Sequence, residues 1–141
     1  MREIKFRGMR LTGSYWEFGS LYINERLETF IDKYDWKREP VIPESVGEFT
    51  GLKDKNGKEI YEDDYYQVPN GEICIIKYQG NKFVAIPLKP KYPMIPQYDH
   101  FGSPEGEGLV LGNKFQNPEI LKEVDKDGRP KRIIWKISWY R

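Results

Sequence analysis

Hydrophobic and polar residues alternate along most of this chain in short runs that end at Gly, Pro, Asn or Asp. Half-buried antiparallel strands joined by turns read this way, and almost nothing in the chain repeats with helical periodicity. Residues 3–7 set Ile4 and Phe6 on one face against Glu3, Lys5 and Arg7 on the other, which predicts a first strand. Residues 11–14 read as a turn, and residues 15–23 as an aromatic strand pairing back, with Gly19 allowing a bend or bulge. From 24 to 43 the apolar residues Leu27, Phe30, Ile31, Tyr34 and Trp36 fall between strand and helical spacing, so a strand or a short turn of helix is expected.

Beyond residue 46 the punctuation is sharper. Runs 48–52 and 58–61 flank Asn56-Gly57, a strong hairpin signal because glycine accepts the positive φ of a tight turn. Runs 65–68, 72–78 and 82–88 follow as strands, spaced about every 8–12 residues as in small barrels and sandwiches. Residues 89–108 are rich in proline and glycine, which excludes a central strand and predicts an ordered loop over the barrel. Residues 109–111 read as a buried strand, and Asn117-Pro118 opens a short helix near 117–122, with Asn as N-cap and Pro at the first helical position. Asp127-Gly128 turns the chain back on Val124, and 132–140 alternate with Ile133, Trp135, Ile137 and Trp139 on one face. The expectation is a mainly β chain: an N-terminal β-meander over 1–46 packed on a small β-barrel or roll over 47–141.

Composition narrows the chemistry. Ten Tyr, seven Phe and four Trp supply a core without a metal or a disulfide. The single cysteine, Cys74, lies in an apolar run and has no partner for an intramolecular bridge, which suits core packing in a reducing cytoplasm. Basic and acidic residues number 23 and 22, so the balance lacks the basic excess of an unspecific nucleic-acid binder. The first residues lack the apolar stretch of a signal peptide, and no run of about 18 apolar residues occurs to span a bilayer. A cytoplasmic protein is expected.

A catalytic reading finds little to stand on. With His100 and Cys74 the only residues of their kinds, no triad and no Cys/His zinc set can be assembled. Glu59, Glu62, Asp63 and Asp64 crowd one turn but match no cation-loop spacing, and they read as a solvated acidic turn. The glycines of 102–108 lack the lysine and the strand-to-helix setting of a phosphate loop. His100 reads as an incidental loop residue. No enzyme activity, catalytic residue, cofactor or metal is expected.

Three blocks carry a family resemblance: Ile4-Lys5-Phe6-Arg7, residues 46–62 (Val-Gly-Glu-Phe-Thr-Gly-Leu-Lys-Asp-Lys-Asn-Gly-Lys-Glu-Ile-Tyr-Glu), and residues 111–119 (Leu-Gly-Asn-Lys-Phe-Gln-Asn-Pro-Glu). In order and content they resemble the YopX family of bacteriophage and prophage proteins. The resemblance implies a phage or prophage origin, a mainly β structure whose C-terminal part is similar to SH3-type barrels, and no established biochemical activity. One departure is Asp63, which stands where family members carry a glycine after Tyr-Glu; Asp tolerates unusual backbone angles, so the turn is expected to survive. Nothing carries over to the proline-rich loop or to the strand after Lys131.

Binding is what remains. The expected function is a non-catalytic protein-interaction module, self-associating, with candidate interface residues Trp135, Ile137 and Trp139 on the last strand and Tyr92, Tyr98 and Phe101 in the loop. Second stands a nucleic-acid-binding accessory factor using basic strand faces, with Lys5, Arg7, Arg10, Arg132 and Lys136 as candidate contacts.

Overall fold

The computed structural model describes residues 3–13, 15–33, 35–89 and 108–131. It contains two compact units, Met1–Gly51 and Leu52–Arg141. The division falls inside a strand, after Gly51, rather than ahead of residue 47.

The first unit is an antiparallel meander. Its strands are β1 (Phe6–Met9), β2 (Trp16–Ile23), β3 (Thr29–Asp32), β4 (Arg38–Pro40) and β5 (Gly47–Lys53), in the order β4-β3-β2-β1-β5, with a 3-10 turn at Pro43–Ser45 before β5. The segment that reads ambiguously in sequence is thus two short strands and two turns. Alternation sends Thr29 and Ile31 inward, where they are buried with Val41 and Met9. Beyond Pro40 the chain reaches the end of β1: Arg10 and Val41 form an isolated bridge, the Ile42 N–H donates to the Met9 carbonyl at 2.8 Å, and the Met9 N–H donates to Ser45 Oγ at 2.8 Å. Two glycines make the packing possible. A Cβ on Gly8 would lie 2.8 Å from Val41 Cγ2, and one on Gly19 would lie 2.2 Å from the Asp32 carbonyl oxygen.

Register also decides what the edge strand β4 offers. Phe30 lies opposite Pro40, Ile31 opposite Glu39 and Asp32 opposite Arg38. The Lys33 N–H donates to Lys37 O at 2.8 Å and the Val41 N–H to Thr29 O at 3.0 Å. Hydrogen-bonded pairs alternate in an antiparallel ladder, so Glu39 faces β3 while the backbones of Arg38 and Pro40 point outward. Pro40 carries no N–H, and the edge of β4 keeps a single outward amide donor, that of Arg38.

In the second unit, β6 (Glu59–Tyr61) follows the hairpin turn at Asn56-Gly57, and β7 (Asp64–Gln67), β8 (Ile73–Gln79), β9 (Lys82–Pro87) and β10 (Leu109–Asn113) form an antiparallel sheet ordered β10-β7-β8-β9. Both faces of this sheet are covered. One cluster holds Ile60, Tyr66, Val68, Cys74, Ile76, Phe83, Ala85 and Val110, and a second holds Tyr65, Ile73, Leu111, Ile120 and Val124. Double-sided burial explains the unbroken apolar run Ile73-Cys74-Ile75-Ile76. Alternation sends Val110 and its neighbour Leu111 to different clusters, and a register shift between Val110 and Gly112 leaves Leu111 as the extra residue opposite Tyr65 and Tyr66. Buried Asp54 ties the hairpin turn to β10, its Oδ1 accepting the N–H groups of Asn56 and Lys58 at 2.9 Å each and its Oδ2 that of Val110 at 3.0 Å.

The mainly β, all-antiparallel expectation is met, with two corrections. Among the described residues the four-stranded sheet is open at β10 and β9 and does not close into a barrel. The expected helix is a six-residue 3-10 helix, Pro118–Glu123, and Asn117 does not cap it with its side chain. Instead Asn117 Oδ1 accepts the Asn113 N–H at 3.1 Å, stitching β10 to the turn that follows. A side chain fully buried against β10 is committed there and is lost to the helix. The turn back on Val124 is present as a bridge to Pro130, with Gly128 at φ +81°. Asp63, at φ +71°, holds the left-handed conformation anticipated at that position.

Candidate interaction surface

The outward face of the first unit carries its chemistry. Phe18, Ser20 and Tyr22 of β2 are exposed, and register extends them across the sheet in two rows: Ser20, Asp32 and Arg38, then Tyr22, Phe30 and Pro40. The Tyr22 and Phe30 rings meet at a tilt of 46° with centroids 5.9 Å apart, and the Arg38 guanidinium lies 3.7 Å from the Tyr22 centroid while donating to both oxygens of Asp32 at 2.6 and 3.0 Å. That fork holds the Asp32 carboxyl below its ordinary pKa and the guanidinium above its own.

At the end of β3 the turn over residues 33–37 places Trp36 in the left-handed region at φ +69°, with 97% of the residue exposed. The preceding turn, over 24–28, does the same to Leu27, at φ +65° and 77% exposed. Trp36 borders a hollow of about 760 Å³ whose walls include Ile4, Lys5, Ser20, Asp32, Lys37 and Arg38. Of the eleven large hydrophobic residues that are exposed among those described, eight belong to the first unit.

The basic candidates are placed differently from one another. Arg7 is buried, 7% exposed, with its guanidinium 4.5 Å from the Trp16 ring centroid. Arg10 donates to Glu17 at 2.6 Å and to Glu39 at 3.4 Å and lies over Tyr15. Lys33 joins the same Glu17 at 3.2 Å. Burial pushes the Glu17 carboxyl up, but the hydrogen bonds from Arg10 and Lys33 outweigh it and leave the group below its ordinary pKa. Lys5 lies 3.9 Å from Glu3 and sits over the Phe49 ring. The structure therefore does not gather Lys5, Arg7 and Arg10 into one solvent-facing patch. Arg132, Lys136, Trp135, Ile137, Trp139, Tyr92, Tyr98, Phe101 and His100 lie outside the described residues.

The groups weighed for catalysis have other employment. Asp63 pairs with Lys77 at 2.5 Å, Asp64 Oδ2 accepts the Tyr61 N–H at 2.8 Å, and Glu59 accepts the Tyr61 hydroxyl at 2.9 Å. Cys74 is fully buried, and burial pushes its thiol up to about 12, far from the thiolate that nucleophilic chemistry requires. Trp36 and Leu27 are what the sequence alone did not single out. Their signal was present only as bulky residues at the third loop position of hairpins that no glycine announced.

These residues define a two-unit antiparallel β protein with an aromatic outer sheet face. The chain belongs to the YopX protein family, whose model matches residues 5–122. It also resembles the crystal structure of protein EF1440 from Enterococcus faecalis, at 23% identity and a TM-score of 0.51 over 86% of this chain and 99% of the other, a likeness of fold. No curated protein matches the chain.

Proposed function

We propose that this YopX-family chain is a non-catalytic protein-interaction module, a phage or prophage accessory protein of the bacterial cytoplasm, and that it self-associates. One observation carries the reading: the first unit holds an indole almost fully in solvent on a backbone conformation that disfavours any large side chain. A left-handed residue other than glycine costs roughly 1–2 kcal/mol, and an exposed ring returns nothing to the fold. Large aromatic side chains beside arginine, as in the Tyr22, Phe30 and Arg38 cluster, are what binding hot spots are made of. The double-covered sheet of the second unit serves as a scaffold, on which the SH3-like roll suggested by the family resemblance would be built.

Nucleic-acid binding stands second, because Arg10 and Lys33 already face carboxylates of their own unit and Arg7 is withdrawn from solvent. The test is capture on tagged protein from host lysate, supplemented with an untagged copy of this chain, with and without nuclease. Retention of protein, the untagged copy included, through nuclease and high salt supports the proposal. Recovery of nucleic acid that high salt strips away overturns it in favour of the second reading.

A further inference from the structure

We infer that the Trp36 end of the first unit is a self-complementary patch that docks onto a second copy of this chain about a two-fold axis, an inference that rests on the self-association just proposed. The same small area carries a knob and a socket. Trp36 projects from the hairpin tip, and beside it lies the hollow of about 760 Å³ that the indole itself borders. Sites of about 300–1,000 Å³ hold drug-sized ligands, so the hollow has room for one indole. A two-fold axis requires one patch to fit itself, each residue of one copy meeting a different residue of the other, and a knob beside a socket satisfies that requirement twice.

Charge fits the same way. The walls mix Lys5, Lys33, Lys37 and Arg38 with Glu3 and Asp32, and Asp35 adds a further carboxylate in the turn. A polyanion would meet those carboxylates along with the cations, whereas a second copy brings both signs. Exposed Ile4 in the lining offers the incoming ring an apolar contact. Backbone pairing through the nearby edge of β4 is not the route, since Pro40 withholds a donor there.

Sedimentation equilibrium from low micromolar to several hundred micromolar, on the full chain, tests this with three proteins: wild type, Trp36→Gly, and Trp135→Ala/Trp139→Ala. Glycine suits φ +69°, so Trp36→Gly is expected to stay folded, as read by amide exchange in β2 and β3; Trp36→Asn serves as a second variant that also tolerates that backbone. The expected result is a wild type whose mass doubles with concentration, a Trp36 variant that stays at monomer mass, and a double variant that still doubles. A wild type that remains monomeric overturns both this site and the self-association it rests on. A Trp36 variant that still doubles overturns the site and leaves self-association standing, and loss of doubling in the double variant moves the interface to the last strand. Binding of a labelled single-stranded oligonucleotide that vanishes in Trp36→Gly while wild type stays monomeric overturns the inference in favour of nucleic acid.

Discussion

The two units build the same hairpin turn and fill it differently. In residues 24–28 the Leu27 N–H donates to Asn24 O, the Asn24 N–H donates to Glu28 O, and Asn24 Oδ1 accepts from Arg26 and Glu28. Residues 54–58 repeat every one of these bonds with Asp54 in the place of Asn24 and Gly57 in the place of Leu27. The turn over 33–37, with Asp35 Oδ1 accepting from Lys37, has its twin in 68–72, where Asn70 Oδ1 accepts from Glu72 and Gly71 stands where the first unit has Trp36. A third glycine turn over 125–129 uses Asp125 and Gly128. Among the described residues the chain therefore solves this turn with glycine three times and departs from that solution only where the residue is also thrust into solvent. Close-packed glycines occur in both units, Gly8 and Gly19 in the first and Gly108 and Gly112 in the second, and glycine turns occur in both as well, at Gly13 in the first and at Gly57, Gly71 and Gly128 in the second. What folding alone requires and what the surface presents come apart at Leu27 and Trp36.

The largest effect expected is at Gly19, inside the first unit's sheet. Gly19→Ala drives a methyl to 2.2 Å from the Asp32 carbonyl, and a loss of about 3 kcal/mol or more is expected, read as collapse of amide protection in β2 and β3. Moving the first unit's choice into the second comes next: Gly57→Leu, at φ +83° with open space around the new side chain, is expected to lose about 1–2 kcal/mol in denaturant unfolding. If it loses nothing, the left-handed positions are not strained and the argument from Trp36 weakens.

Tyr65 tests the covered sheet. Its hydroxyl is buried without a hydrogen-bond partner among the described residues, and burial, then the Asp63 and Glu119 carboxylates, push its pKa up. Tyr65→Phe is therefore expected to gain about 1 kcal/mol in the same assay. Smallest are Trp36→Gly and Leu27→Gly. Relief of about 1–2 kcal/mol of backbone strain, less about 0.5–1 kcal/mol of added chain entropy, leaves a gain of about 0–1.5 kcal/mol each. These two are measured in dilute protein, where association does not add to stability.

The same comparison shows what was legible in the sequence. Asn56-Gly57 and Asp127-Gly128 announced their hairpins because glycine names the position that needs positive φ, and the strands between them were read close to where they lie. Residues 24–43 stayed ambiguous because the corresponding positions hold Leu and Trp, which alter the apolar spacing and signal no turn. Asn117-Pro118 read as a helix start, yet the Asn side chain is spent on β10, a tertiary contact that no local pattern encodes. At the surface, sequence weighed Lys5, Arg7 and Arg10 together as one basic strand face, and it had no means of seeing that Glu17 on the paired strand and Glu39, distant in sequence, would reach Arg10. The aromatic residues weighed for an interface, in 89–108 and 132–140, lie outside the described residues, and among those described the exposed rings include Phe18 and Tyr22 on β2 and Trp36 at a turn tip.

Pro40 limits what this surface can grow into. A sheet edge with free donors and acceptors recruits another strand, which exposes a fresh edge and recruits the next, so growth along that direction has no natural stop. With its outward amide missing at Pro40, β4 gives an incoming strand no full ladder to follow. The docking proposed for Trp36 would instead run through side chains, and it would close once two copies had satisfied each other. Were the proposed docking of two copies to occur, this edge would favour small, countable assemblies over filaments.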